Sequence, residues 1–461
     1  MPSLTDASNA EDPAARPADP PDLDRLRDQF AATLARLLNG ERQLALALSG
    51  GGDSTALALL AASAREALGL DLIAATVDHG LRAEAAEEAE SAAALCERLT
   101  IRHTTLPLEG PLARGNLQAE ARRARYAVLR RWRAAEGVRV LALGHSRDDL
   151  AETFLLRMAR GSGVDGLAAM AETAPEELTP SEEEPGASGP LRRIRPLLFC
   201  RRATLREICR AAGAPWAEDP SNADARFHRV RARAALDALT PLGLGVERLA
   251  KTAESLSRAR LALEEGAAAL LRRAASVDLT IGLIRLSAAP LREAPTELAL
   301  RAVARCLEWV AGAQYPPRLE SLEAALATIR EGGRGRSLHG AILAPSGADG
   351  RDWTVCREPA AVDDPAPLLQ GRAAWDGRFT ATASAPLFLC AVGEGGRLEI
   401  ERRRDGAAPS VWAAAPLAAR RAAPALWDAE GRLVAAPAAG LGADLCVITP
   451  QRPAPVSVAL E

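Results

Sequence analysis

Residues 44–60 read LALALSGGGDSTALALL. A short apolar run stops at Ser49, Gly50, Gly51 and Gly52 follow, and Asp53 and Ser54 open a second apolar stretch with helical spacing. Glycines tolerate positive φ and let the backbone approach an anion closely. The free N–H groups at the start of the following helix favour negative charge, and the Ser49 and Ser54 hydroxyls add donors. The stretch therefore predicts a strand, an anion-binding loop and a helix. The lysine of the G-x-x-x-x-G-K-[ST] phosphate loop is missing, and an aspartate stands in the loop instead. A carboxylate meets a phosphate without repulsion only through a metal, and Mg²⁺ accepts oxygens from both. A tight turn with Asp53 as an ordinary N-cap is the plainer reading, but three successive glycines exceed what a cap requires.

The same grammar continues outward. Apolar runs at Leu44–Leu48, Leu72–Val77, Arg102–Leu106 and Val138–Leu143 read as strands, and 54–68, 83–99, 117–136 and 148–160 read as helices. Alternation at this spacing implies βαβ units and a Rossmann-like parallel sheet covered on both faces, an α/β fold. Ligands of such sheets sit beyond the carboxyl ends of the strands, and the informative residues fall there.

VDHGLR follows the second strand. Asp78 and His79 suit a nucleotide site, with His79 donating to a phosphate and Arg82 offsetting charge in the transition state. A turn histidine and a solvated arginine are equally compatible with the residues alone. In NLQAEARRARYAVL, Arg122 and Arg125 lie three apart and share a helix face, as they would on any exposed basic helix. In GHSRDDLAETFLLRMARGSG, His145 ends the fourth strand, and Asp149 and Glu152 lie three apart on one helix face. Two carboxylates at a strand end suit an ammonium group, so an amine or amino acid is the natural guest. Helix capping explains one of the two, not Glu152.

At 461 residues the chain predicts two or three domains. The expected plan is a disordered lead-in over 1–22, a catalytic domain over 23–240, a helical domain over 241–335 and a smaller α+β domain over 336–461. Residues 171–190 carry six glutamates, four prolines and no basic residue, and predict a mobile acidic loop. Residues 191–235 reverse the sign, with eleven arginines against four acids. There Arg226, Arg229, Arg231 and Arg233 form a cluster suited to a phosphate backbone, or to a solvated helix face. The seven cysteines include no C-x-x-C, so the pattern suggests no zinc, iron–sulfur or disulfide framework. The first 22 residues lack the apolar core of a signal peptide, and no apolar stretch reaches the roughly 20 residues needed to span a bilayer. A cytoplasmic protein without a membrane partner is expected; the oligomeric state stays open, a dimer included.

SGGGDS resembles the pyrophosphate loop, S-G-G-x-D-S, of the ATP pyrophosphatase superfamily. Those enzymes cleave ATP between its α and β phosphates and attach AMP to a substrate oxygen, which a nucleophile then displaces. Taken in order, SGGGDS, VDHGLR, NLQAEARRARY, GHSRDDLAETFLLRMARGSG, RPLL and EDPSN resemble the bacterial tRNA(Ile)-lysidine synthetases over most of residues 42–240. The resemblance implies ATP and Mg²⁺ as cofactors and free lysine and tRNA as partners. The wobble cytidine of a CAU anticodon would be adenylated, and the ε-amine of lysine would then displace AMP. It further implies that Ser49 to Ser54, Asp78 and His145 hold ATP, with Asp53 on the metal. Asp149 and Glu152 would bind the ammonium of lysine, with His79, Arg82, Arg122 and Arg125 serving the chemistry. Two positions depart from the family's usual pattern: Ser146 stands where a second histidine is common, and Leu150 where a glutamine is.

Two other readings remain at this point. A tRNA thiolation enzyme would use the same adenylation, but such enzymes commonly employ paired cysteines. A catalytically inactive nucleotide- or RNA-binding protein would have no need of Asp53, Asp149 and Glu152 together.

Overall fold

The computed structural model describes residues 22–78, 84–108, 117–176, 191–217, 228–313, 315–346, 351–403 and 409–456. The expected lead-in therefore lies almost wholly outside the described residues, as do His79, Arg82, Arg226, the EDPSN turn and 177–190. Two compact units divide the chain: one formed by residues up to Gly161 with the segments from Ala169 to Ala253, the other by Ser162–Ala168 with the chain from Glu254 onward.

In the first unit the chain runs α1 (Leu23–Leu38), β1 (Gln43–Leu48), α2 (Gly52–Leu68), β2 (Asp71–Asp78), α3 (Glu84–Arg98), β3 (Arg102–Pro107), α4 (Leu117–Ala135), β4 (Val140–Leu143) and α5 (Arg147–Met158). The short α6 (Val164–Leu167) belongs to the second unit. The first then resumes with β5 (Thr173–Glu176), β6 (Leu191–Ile194), α7 (Arg202–Ala211) and α8 (His228–Leu239). Four predicted strands and four predicted helices appear where the alternation placed them.

The sheet order is β3-β2-β1-β4-β6-β5, parallel except for β5. Leu46 pairs with Ala74 on one side and Ala142 on the other. The strands read as continuous apolar runs because both faces are buried. Leu44, Leu46, Leu72 and Val140 pack on one face with Phe30, Leu34, Leu57 and Ile208. Ala45, Ile73, Leu141 and Leu143 pack on the other with Leu129 of α4. After β1 the chain fills the β2 side, then returns to place β4 on the opposite side. The crevice beyond β1 and β4 is thus a topological switch point, where open α/β sheets bind ligands.

The start of the acidic segment is not a loop: Thr173–Glu176 is an edge strand antiparallel to β6. Its Glu176 is buried and ion-paired to Arg133 and Arg193, the latter at 3.1 Å. Composition identified the acidic run but not the internal arginines that pair with buried Glu176.

The second unit has its own cores. Helices α9 (Val246–Ala274), whose first turns belong to the first unit, α10 (Ala288–Glu293), α11 (Thr296–Ala311) and α12 (Leu319–Glu331) accompany the hairpin β7 (Ala275–Asp278) and β8 (Leu283–Ser287). β8 pairs with β11 (Asp352–Arg357), which pairs with β10 (Ala341–Ser346) and, through it, β9 (Arg336–Leu338). One five-stranded sheet therefore draws strands from both sides of residue 335, and Trp353 and Leu307 are fully buried in its core. Antiparallel sheets of four and three strands follow. Among the described residues no helix is long and apolar enough to cross a membrane.

Candidate active site

A cavity of about 730 Å³ opens at the carboxyl ends of β1, β2 and β4. Its floor is the glycine loop. Gly50 takes φ +74°, a conformation that favours glycine, and a Cβ there would meet the Glu88 side chain at 3.1 Å. The Ser54 hydroxyl donates to the Gly51 carbonyl at 2.8 Å and accepts from the Ser49 N–H at 3.2 Å, so it serves the loop's shape. α2 begins at Gly52 with no side-chain cap, which leaves its first N–H groups available to an anion.

The chain after α7 packs against the loop. Ala217 N–H donates to Gly50 O at 2.9 Å, and Trp216 lies so close to Gly52 that a Cβ would meet its ring at 3.3 Å. Trp216 lines the cavity and was not among the expected site residues. On the β4 side, a Cβ on Gly144 would stand 3.0 Å from the backbone of Asp53 and Ser54. The next residue, His145, is thereby held against the cavity. Burial, with Arg195, Arg122 and Arg229 nearby, pushes its imidazole down to about 4 despite Asp149. His145 is a neutral ring whose buried Nδ1 has no hydrogen-bond partner.

Asp149 is the third residue of α5 and does two jobs. Its Oδ2 accepts from the Ser146 N–H at 2.9 Å and the Ser146 hydroxyl at 3.0 Å, which is helix capping. Its Oδ1 faces Arg202 at 3.1 Å. Burial alone would raise this carboxyl, but Arg202, the Ser146 N–H and Arg229 outweigh it and hold it below its usual range. Glu152, one turn on, is 1% exposed. Its Oε1 accepts from Arg202 at 2.7 Å and Arg233 at 2.8 Å, while Oε2 is buried without a partner.

Arg202 is the residue that sequence reasoning missed. One guanidinium reaches Asp53 at 3.1 Å, Asp149 at 3.1 Å and Glu152 at 2.7 Å, and so ties the loop aspartate to the carboxylate pair. Asp53 is raised, chiefly by burial and by the nearby Asp149, although Arg202 opposes the shift.

The opposite wall is basic. Arg122 and Arg125 of α4 line the cavity and flank the Tyr126 ring, 5.0 and 5.7 Å from its centroid, with Arg193 at 4.6 Å. Burial, then Arg122 and Arg229, lower Arg125 against the opposing effect of Tyr126. Arg122, Arg125, Arg202, Arg206, Arg229 and Arg233 line the cavity against three acids, Asp53, Glu88 and Asp149, a balance suited to a polyanion.

The structure thus gathers Ser49 to Ser54, Arg122, Arg125, His145, Asp149 and Glu152 in one place. Asp78 ends β2 one residue beyond Val77, the last residue of that strand to line the cavity. Of the arginines expected on a phosphate backbone, Arg233 binds Glu152 and Arg229 lies 3.7 Å from Asp149. Arg229 and Arg231 are both exposed, and Arg231 lies 2.6 Å from His228 Nδ1.

Among the described residues no three His, Cys, Asp or Glu side chains are disposed to hold a metal by themselves. Asp53, beside the α2 N–H groups, is the carboxylate placed where a divalent cation could be shared with phosphate oxygens.

Strand, glycine loop and helix at the switch point of a parallel sheet define an ATP-using PP-loop enzyme, and the PP-loop domain model matches residues 24–239. A tRNA(Ile)-lysidine synthase of Ruegeria pomeroyi is 38% identical over 429 residues, covering 91% of this chain and 92% of its own. One from Methylobacterium nodulans is 40% identical over 343 residues, 72% of this chain and 95% of its own. The chain belongs to the tRNA(Ile)-lysidine synthase family.

Proposed function

We infer that the protein ligates free lysine to the wobble cytidine of the CAU anticodon of isoleucine tRNA in the cytoplasm. ATP is consumed to AMP and pyrophosphate by way of an adenylated cytidine. The observation that carries this reading is the convergence of Asp53, Asp149 and Glu152 on one cation, the Arg202 guanidinium, beside the glycine loop. The side that would hold the leaving pyrophosphate and the side that would hold an amine are therefore one continuous site.

In this reading the α2 N–H groups and the glycine backbone receive the pyrophosphate. Mg²⁺, bound through Asp53, would neutralise the charge that develops there. Arg122 and Arg125 face the cavity where the adenylated base and its phosphate would lie. Neutral His145 offers a hydrogen bond without adding charge. Asp149, ionised and fixed by Ser146, and Glu152, with a vacant acceptor at Oε2, bind the ammonium of lysine. We assign exposed Arg231 and the second unit to holding tRNA.

Thiolation gains nothing from the site. Cys200 and Cys209 feel the Asp53 charge, but burial first and then Asp53 push their thiols up to about 12 and about 11. The deciding experiment supplies purified protein with ATP, Mg²⁺, labelled lysine and a tRNA bearing CAU. Label is expected in the tRNA, with AMP and pyrophosphate formed in step. AMP and pyrophosphate arising with another nucleophile, and no label in tRNA, would overturn the reading.

A further inference from the structure

Three carboxylates, Asp53, Asp149 and Glu152, meet one side chain, Arg202, which is only 18% exposed. The backbone of Arg202 is anchored independently: its N–H donates to Asp148 Oδ2 at 2.7 Å, and Arg201 reaches the same carboxylate at 3.2 Å. The guanidinium, at the end of a long flexible stem, is therefore free to swing about a fixed base. Its three nitrogens are all engaged: Nε with Asp53, Nη2 with Asp149 and Nη1 with Glu152. Glu152 keeps one buried oxygen, Oε2, aimed at no donor.

Resting on the reading above, we propose that Arg202 is a placeholder cation that couples the two halves of the site. It holds the carboxylates together before substrates arrive and yields Asp149 and Glu152 to lysine once Mg²⁺·ATP has taken Asp53 from it. Arg202 and the lysine ammonium compete for the same carboxylates. A guanidinium and an ammonium are both donor-only cations, and Glu152 Oε1 already accepts from two cations, Arg202 and Arg233, so an incoming ammonium competes with Arg202 for Asp149 Oδ1 and Glu152 Oε1. Binding of Mg²⁺ at Asp53 removes one of the three anchors of Arg202 and sets a like charge beside it. Its hold on the remaining two then weakens, and an ammonium, with Glu152 Oε2 as an added acceptor, displaces it. Arg202 acts through the carboxylates and is a positioning residue. Its consequence is that nucleotide binding strengthens lysine binding, and by linkage lysine strengthens nucleotide binding by the same factor.

The test is equilibrium binding of labelled lysine to the full chain, alone and with Mg²⁺ and a non-hydrolysable ATP analogue. The expected result is tighter lysine binding with the Mg²⁺·analogue, by about fivefold or more. The gain should vanish when the analogue is added with chelator. Arg202→Met, which keeps an apolar stem and loses the charged head, should bind lysine equally well in both states. Arg202→Lys, which reaches one carboxylate rather than three, should show a reduced gain and guards against a Met variant that fails to fold. The reciprocal measurement, analogue affinity with and without lysine, needs no variant and must return the same factor. Lysine binding that ignores the nucleotide in the unaltered protein, or coupling that persists in Arg202→Met or without Mg²⁺, would overturn the inference while leaving the functional reading intact. No lysine binding in any state would remove the functional reading itself, and the inference with it.

Discussion

Ser146 gives both its backbone N–H and its hydroxyl to one oxygen of Asp149, at 2.9 and 3.0 Å. The bond pair starts α5 and at the same time turns the other Asp149 oxygen toward the cavity. A residue that departs from the family's usual histidine therefore keeps a positioning role. Ser146→Ala removes the hydroxyl and leaves the N–H bond. Stability should fall by about 1 kcal/mol, the ordinary worth of a cap. The KM for lysine should rise by a few-fold with ATP–pyrophosphate exchange little changed. Urea unfolding and steady-state kinetics check both; an unchanged KM would confine Ser146 to capping.

The strand–helix alternation was legible because a parallel sheet buried on both faces leaves continuous apolar runs, and glycine, aspartate and histidine punctuate their ends. Asp149 and Glu152 were legible because their spacing alone sets them on one helix face. Arg202 was not. It lies 50 residues from Glu152 in a stretch with several arginines, and only the packing of α7 decides that Arg202 points inward while Arg201 turns to Asp148. Trp216 was hidden for the same reason, since nothing local announces that its ring covers Gly52. Arg229 and Arg233 have neighbours that the sequence does not announce, Asp149 and Glu152. A basic cluster shows its charge in the sequence but not the buried carboxylates that part of it also faces.

Gly144 sets the distance between β4 and the glycine loop. A Cβ there would stand 3.0 Å from backbone atoms of Asp53 and Ser54, which cannot rotate away as a side chain could. Gly144→Ala should displace the loop at a cost of about 1–3 kcal/mol. ATP affinity should drop by about tenfold, equivalent to about 1.4 kcal/mol. Calorimetric titration with ATP checks this, and native-like affinity would show that the loop accommodates the methyl group.

His145 should make stability depend on pH. Its folded value, about 4, lies below the ordinary imidazole value because burial disfavours the charged ring, with Asp149 opposing and Arg195, Arg122 and Arg229 assisting. The unfolded chain therefore binds the proton first. The contribution is whole above the unfolded value, about 6.5, and is lost as pH falls from there through about 4. The loss is on the order of 3 kcal/mol. Denaturation midpoints of the protein and of His145→Gln should converge in slope above pH 6.5 and diverge below it; parallel curves would mean that the ring is solvated.

Binding of tRNA should weaken with salt less steeply than eleven arginines in 191–235 would suggest, because several are spent on internal carboxylates. Exposed Arg231 should count in full. Arg231→Ala is expected to reduce the log–log salt slope by about 1 without changing catalysis on saturating tRNA. Filter binding across a salt series measures it, and an unaltered slope would take Arg231 off the interface.

Glu152→Gln separates the two halves of the reaction. Gln keeps the shape, and its carbonyl oxygen can still accept from Arg202 and Arg233, as Glu152 Oε1 does at 2.7 and 2.8 Å. The amide NH₂ then falls where buried Oε2 stands and presents donors to an ammonium that needs an acceptor. A charge-assisted hydrogen bond is worth about 1.5–3 kcal/mol, so the KM for lysine should rise by about 10- to 100-fold. ATP–pyrophosphate exchange in the presence of tRNA precedes lysine use and should stay within about threefold of the unaltered protein. Equal loss in both assays would move Glu152 out of the amine pocket and make it a support for Arg202 alone.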